Sequence, residues 1–101
     1  VAGDWEQEIS QVAVCGGSGK SLIPVAAKSG AQVLITGELG HHDAQLAQEL
    51  GLALIDAGHY ATEAVSLPFL ADAIKQELTE KEVAEIPVVI SQREKDPWQF
   101  F

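Results

Sequence analysis

Apolar residues along this chain fall into short blocks that alternate between two periods. The stretches "QVAVC" (11–15), "QVLIT" (32–36), "LALIDA" (52–57) and "IPVVIS" (86–91) are apolar and rich in β-branched residues, and each predicts a strand. Between them the spacing becomes helical. Leu22, Ile23, Ala26 and Ala27 share one side of a short helix that ends near Gly30, with Pro24 in the first turn, where a missing N–H costs little. A second helix runs from about His42 through Ala44, Leu46, Ala47 and Leu50 and closes at Gly51. The longest helix lies within 62–78, with Leu67, Leu70, Ile74 and Leu78 at helical spacing. Pro68 interrupts it, so its regular part starts near the proline after a turn or kink. Apolar strands alternating with helices predict a layered α/β/α domain on a largely parallel or mixed sheet.

In such a sheet, ligands gather beyond the carboxyl ends of the strands. That rule selects the loops at 16–18, 37–42 and 57–62. The first belongs to "CGGSGKS" (15–21), which has the look of a phosphate cradle. Gly19-Lys20-Ser21 supplies the end of a P-loop, but the glycine needed five positions earlier is Val14. The dinucleotide pattern would need a glycine where Leu22 stands. Both motifs fail by position, and the expectation is a tight strand-to-helix turn in which glycines permit close backbone approach.

The other two loops hold ligand-type side chains. "TGELGHHD" gathers Glu38, His41, His42 and Asp43, and "DAGHYATE" gathers Asp56, His59 and Glu63, so all 3 histidines fall at the end of the sheet where a site is expected. His59 and Glu63 are four apart and can share one side of a helical turn. An imidazole nitrogen with a carboxylate oxygen suits zinc, iron or manganese. The same residues also have plain structural readings. Glu63 can answer the helix dipole, His59 can be a solvated loop residue, Asp56 can cap the turn, and Asp43 can serve as a first-turn carboxylate.

Composition narrows the function classes. With 101 residues, 47% hydrophobic and 21% charged, the chain is one globular domain with a real core. A net charge of −9 with 6 Lys and Arg disfavours nucleic acid and leaves carboxylates free to meet a cation. The lone Cys15 cannot form an internal disulfide, which fits a reducing, cytoplasmic setting. No apolar run approaches the roughly 20 residues of a membrane span. The first residue is Val1 rather than Met, so an excised piece of a longer protein is expected. At the other end, Trp98, Phe100 and Phe101 crowd 3 of the 6 aromatics into "DPWQFF", a tail expected to pack across an interface.

The order and wording of "VAVCGGSGKSLI", "VLITGELGHHDAQLAQELGLALIDAGHYATE" and the late "DPW" resemble the C-terminal half of the Nif-three-like family, the GTP cyclohydrolase 1 type 2 homologues. The resemblance spans nearly the whole chain, and its G-H-x-x-T-E element is specific. It implies one of two similar α/β halves facing across a cleft, two divalent metal ions (zinc, iron or manganese) between them, and a ring-shaped homohexamer. By the same resemblance His59 and Glu63 are metal ligands, and His42 and Glu38 lie beside the centre as candidate proton carriers. The family's His-His pair and Asp belong to the N-terminal half, which these residues do not include, and His41-His42 is not that pair. The implied reaction is metal-dependent hydrolysis of a nucleotide, with water attacking C8 of the guanine ring of GTP and formate leaving. The alternative is a non-catalytic metal-binding or protein-interaction module.

Overall fold

The computed structural model of the chain describes residues 1–4, 6–83 and 86–99. Its elements are β1 (Val12–Ser18), a single 3₁₀ turn (Lys20–Leu22), α1 (Ile23–Lys28), β2 (Val33–Gly37), α2 (His41–Glu49), β3 (Ala53–Asp56), α3 (His59–Ala64) and α4 (Leu67–Glu80). The three strands form one parallel sheet in the order β1-β2-β3. Both crossovers step in the same direction, and their shared handedness places α1 and α2 on the same face. There Ile23 and Ala26 of α1 and Ala47 of α2 meet Leu34 and Leu54 in a closed core. α3 lies on the opposite face at the carboxyl ends of β1 and β2, so the expected α/β/α layering is present. This end of the sheet carries the loops that matter for function.

The pattern-based expectations differ from the structure in two places. The glycines of "CGGSGKS" do not simply end the first strand. Val14 pairs with Ile35 and Ser18 with Gly37, so β1 takes four steps against two in β2 and bulges between them. Gly17 sits in the bulge at φ +65°, and the fully buried Thr36 secures it, accepting from Gly19 N–H and donating to the Gly17 carbonyl, each at 2.9 Å. The turn comes after, at Gly19. The regular part of the long helix does start near Pro68, as expected: α3 ends at Ala64 and α4 begins at Leu67, because Pro68 has no N–H for the Ala64 carbonyl and instead occupies the first turn of α4.

The expected fourth strand at 86–91 is absent from the sheet. These residues have no ladder partner, and Val89 is 83% exposed. An apolar β-branched run becomes a strand only where an edge accepts it. The outer edge of β3 is partly taken by Ala2, which exchanges two backbone hydrogen bonds with Leu54, and Pro87 offers no N–H.

Much apolar surface stays open. Only Ala71 of α4 is buried, while Leu67, Phe69, Leu70 and Ile74 are exposed, as are Val12 and Val14 on β1. The radius of gyration, 17.5 Å, exceeds the roughly 13 Å of a compact chain of this size. Among the described residues no helix is long and apolar enough to cross a membrane.

Candidate metal centre

β3 ends at Asp56, whose carboxylate ties two loops together. It accepts from Glu38 N–H (3.2 Å), Leu39 N–H (3.0 Å) and Gly58 N–H (3.0 Å), joining the loop after β2 to the one after β3. Partial burial acts to raise the Asp56 pKa. The backbone donors of Leu39, Gly58 and Glu38 outweigh it and hold the carboxyl below its usual range. The turn-capping reading of Asp56 is the one the structure shows.

Because that pKa is depressed, the Asp56 contribution to stability is present above pH 3.8 and is lost as pH falls through the lower folded value. Asp56→Asn is expected to cost about 1–2 kcal/mol near neutral pH, since hydrogen bonds to a charged acceptor are being exchanged for neutral ones at an exposed site. The gap from wild type should close in acid. Urea midpoints measured against pH check this, and a pH-independent gap would assign the loss to something other than the ionised carboxylate.

Gly58, at φ +84°, turns the chain so that α3 opens on His59, and Glu63 comes one turn later on the same side. His59 Nε2 lies 3.3 Å from Glu63 Oε1, and His59 Nδ1 lies 2.9 Å from Glu38 Oε2. The imidazole is therefore held between two carboxylates. The hydrogen bond to Glu38 raises the His59 pKa, and the same bond to His59 lowers that of Glu38. Glu38 itself has left-handed backbone, φ +60°, one of two non-glycine residues with positive φ among those described.

The β1 bulge closes the site from below. Gly17 N–H donates to Thr62 Oγ1 (2.9 Å), and the Thr62 hydroxyl lies 2.8 Å from the Gly58 carbonyl. A Cβ at Gly17 would run into the Glu63 carboxylate and come within 3.3 Å of His59 Nε2. Neither Thr62 nor the contact at Gly17 stands out in the sequence, although Thr62 is part of the G-H-x-x-T-E word.

The remaining candidates lie apart from this trio. Asp43 accepts from Gly40 N–H (2.8 Å) as a cap of α2. His42 Nδ1 faces Gln45 Oε1 at 3.1 Å, and its ring stands edge-on to that of His41. Among the described residues, no group of three or more His, Cys, Asp or Glu side chains forms a ready metal cage. Two donors, His59 Nε2 and Glu63 Oε1, converge on the same side.

A cleft of about 730 Å³ opens beside them, lined by Glu38, His59, Tyr60, Asp96 and Trp98 among others. The tail reaches it because Tyr60 O–H donates to the Glu94 carbonyl (3.0 Å). Trp98 is 75% exposed there, and Phe100 and Phe101 lie outside the described residues. Sequence spacing gives no sign that the tail returns to this loop.

The His59–Glu63 element and the late "DPW" thus meet in space. A family model, Duf34/NIF3 (NGG1p interacting factor 3), matches residues 1–97. This chain belongs to the Duf34/NIF3 family. A Clostridium perfringens protein named GTP cyclohydrolase 1 type 2 homolog is 31% identical over 99 residues, which are 98% of this chain and 36% of that protein. A Nostoc protein of the same name is 43% identical over 72 residues, covering 71% of this chain and 27% of its own length. Among solved structures, a Bacillus cereus protein related to NIF3 superposes with a TM-score of 0.88 at 31% identity, covering 99% of this chain and 27% of that one. The chain thus spans about a third or less of each of these Duf34/NIF3 relatives.

Proposed function

We propose that this chain is the C-terminal half of a dinuclear metal-dependent hydrolase, in which His59 and Glu63 supply two of the metal ligands. The observation that carries the reading is the His59–Glu63 pair. The two donor atoms lie 3.3 Å apart. The separation matches the edge of a tetrahedron whose corners lie about 2.0–2.1 Å from its centre, as nitrogen and oxygen ligands of zinc do. The donor chemistry fits zinc, iron or manganese. When bound, the ions would supply Lewis acidity and bring the pKa of a water toward neutrality.

The chain's own residues would do the rest. Gly17 lets the β1 backbone approach the ligand pair, Asp56 fixes the two loops, and the proton transfers fall to His42 or Glu38. The cleft beside His59 would receive the substrate. GTP is the candidate, by the name its relatives carry, with hydrolytic attack at C8 of guanine and release of formate. The exposed faces of α4 and β1 would be covered by the other half of the protein and by further subunits, giving a cytoplasmic homo-oligomer, in the family's pattern a hexamer.

Those same exposed apolar faces favour a second reading, a non-catalytic metal-binding or protein-interaction module. The full-length protein, assayed with GTP and zinc, iron or manganese, decides between them. Formate release that disappears in Glu63→Gln is the expected result. No turnover with any of these metals would favour the module.

A further inference from the structure

We propose that Glu38 is a positioning residue for His59, held in an unfavourable backbone conformation so that its carboxylate aims the imidazole at the metal side of the site. This rests on His59 being a ligand, the reading proposed for the centre. Left-handed backbone is a place for glycine, or for Asn and Asp, and a longer side chain stays there only when its surroundings hold it. Here they do. Asp56 accepts from the N–H groups of both Glu38 and Leu39, which fixes the turn at φ +60°.

The conformation sends Glu38 Oε2 to His59 Nδ1 at 2.9 Å. An acceptor on Nδ1 selects the tautomer that carries its hydrogen there and leaves the Nε2 lone pair free to ligate. Nε2 is the nitrogen beside Glu63 Oε1 and above Gly17. The other neighbours of Glu38, Ser18 and Lys20, act on its carboxylate more weakly than His59 does. The Glu38 side chain is exposed, and glycine would take the same turn without strain. A glutamate kept there against its backbone preference is serving the site rather than the fold.

The test is zinc titration of the full-length protein carrying Glu38→Gly, Glu38→Gln or His59→Ala, with melting curves of each zinc-free protein. Removing an outer partner of a ligand typically weakens metal binding about 10–100-fold, the loss expected for Glu38→Gly. Its zinc-free melting temperature should equal or exceed that of wild type. Glu38→Gln, whose amide oxygen still accepts the Nδ1 hydrogen, should fall between the two in affinity. Unchanged affinity in Glu38→Gly, with loss in His59→Ala, would overturn the positioning role and leave the ligand reading standing. A fall in zinc-free stability that accounts for the weakened binding would overturn it too. Unchanged affinity in His59→Ala would bring down both.

Discussion

His59→Ala in the full-length protein is expected to lose metal more severely than any other single change in this chain. The side chain is central to three contacts at once: it faces Glu63 through Nε2, holds Glu38 through Nδ1, and sits over the Gly17 bulge. Alanine removes the proposed ligand and leaves two carboxylates facing each other across the gap. The loss should exceed the roughly 10–100-fold associated with outer partners of a ligand. The fold should tolerate the change, because His59 is exposed and belongs to no part of the core. Elemental analysis of purified protein, read together with its melting temperature, checks both halves of the expectation. Full metal content in a well-folded His59→Ala would remove this residue from the centre.

Gly37→Ala should be the most damaging small substitution. Gly37 ends β2 directly beneath the start of α3, and a Cβ there would lie 2.6 Å from Gly58 C and His59 N and 2.7 Å from His59 Cα. All three are backbone atoms, so no side chain can rotate to make room. Gly37 does not have positive φ, so the effect is steric and separate from backbone preference. Overpacking of this kind costs about 1–3 kcal/mol, enough to lower the melting temperature by several degrees. The displaced atoms carry His59, so metal affinity should fall with stability. Gly40→Ala is the control. Its Cβ would come no closer than 3.4 Å to Asp43 Oδ2, and it should be nearly neutral in both measurements.

How far the sequence reveals this molecule depends on how local each determinant is. The helical faces at Ile23, Ala26 and Ala47 and the strands around Leu34 and Leu54 are legible because burial has a period of its own in each element. The division of the long helix near Pro68 is equally local, since one missing N–H settles it. The stretch at 86–91 shows the limit. Its composition is that of a strand, but strand formation depends on a neighbouring edge that composition does not describe. The β1 bulge is hidden for a related reason. Three glycines announce freedom, while the hydroxyls of Thr36 and Thr62 decide how it is used.

The site divides along the same line. His59 and Glu63 are visible as a helical pair, and G-H-x-x-T-E marks them. Glu38 is visible only as an acid in the right loop. Its contact with His59 depends on left-handed backbone and on Asp56, and neither can be read from spacing. His42, equally prominent in the sequence, points to Gln45 in its own helix. The return of Asp96 and Trp98 to the cleft goes with a hydrogen bond from Tyr60 to Glu94, linking segments 34 residues apart.

The most direct test of the proposed centre is anomalous diffraction from crystals of the full-length protein soaked in zinc or manganese. An anomalous peak is expected about 2.0–2.3 Å from His59 Nε2 and from an oxygen of Glu63, with Glu38 still on Nδ1. A strong metal peak remote from both residues, with His59 and Glu63 left as an ordinary ion pair, would contradict the proposed centre.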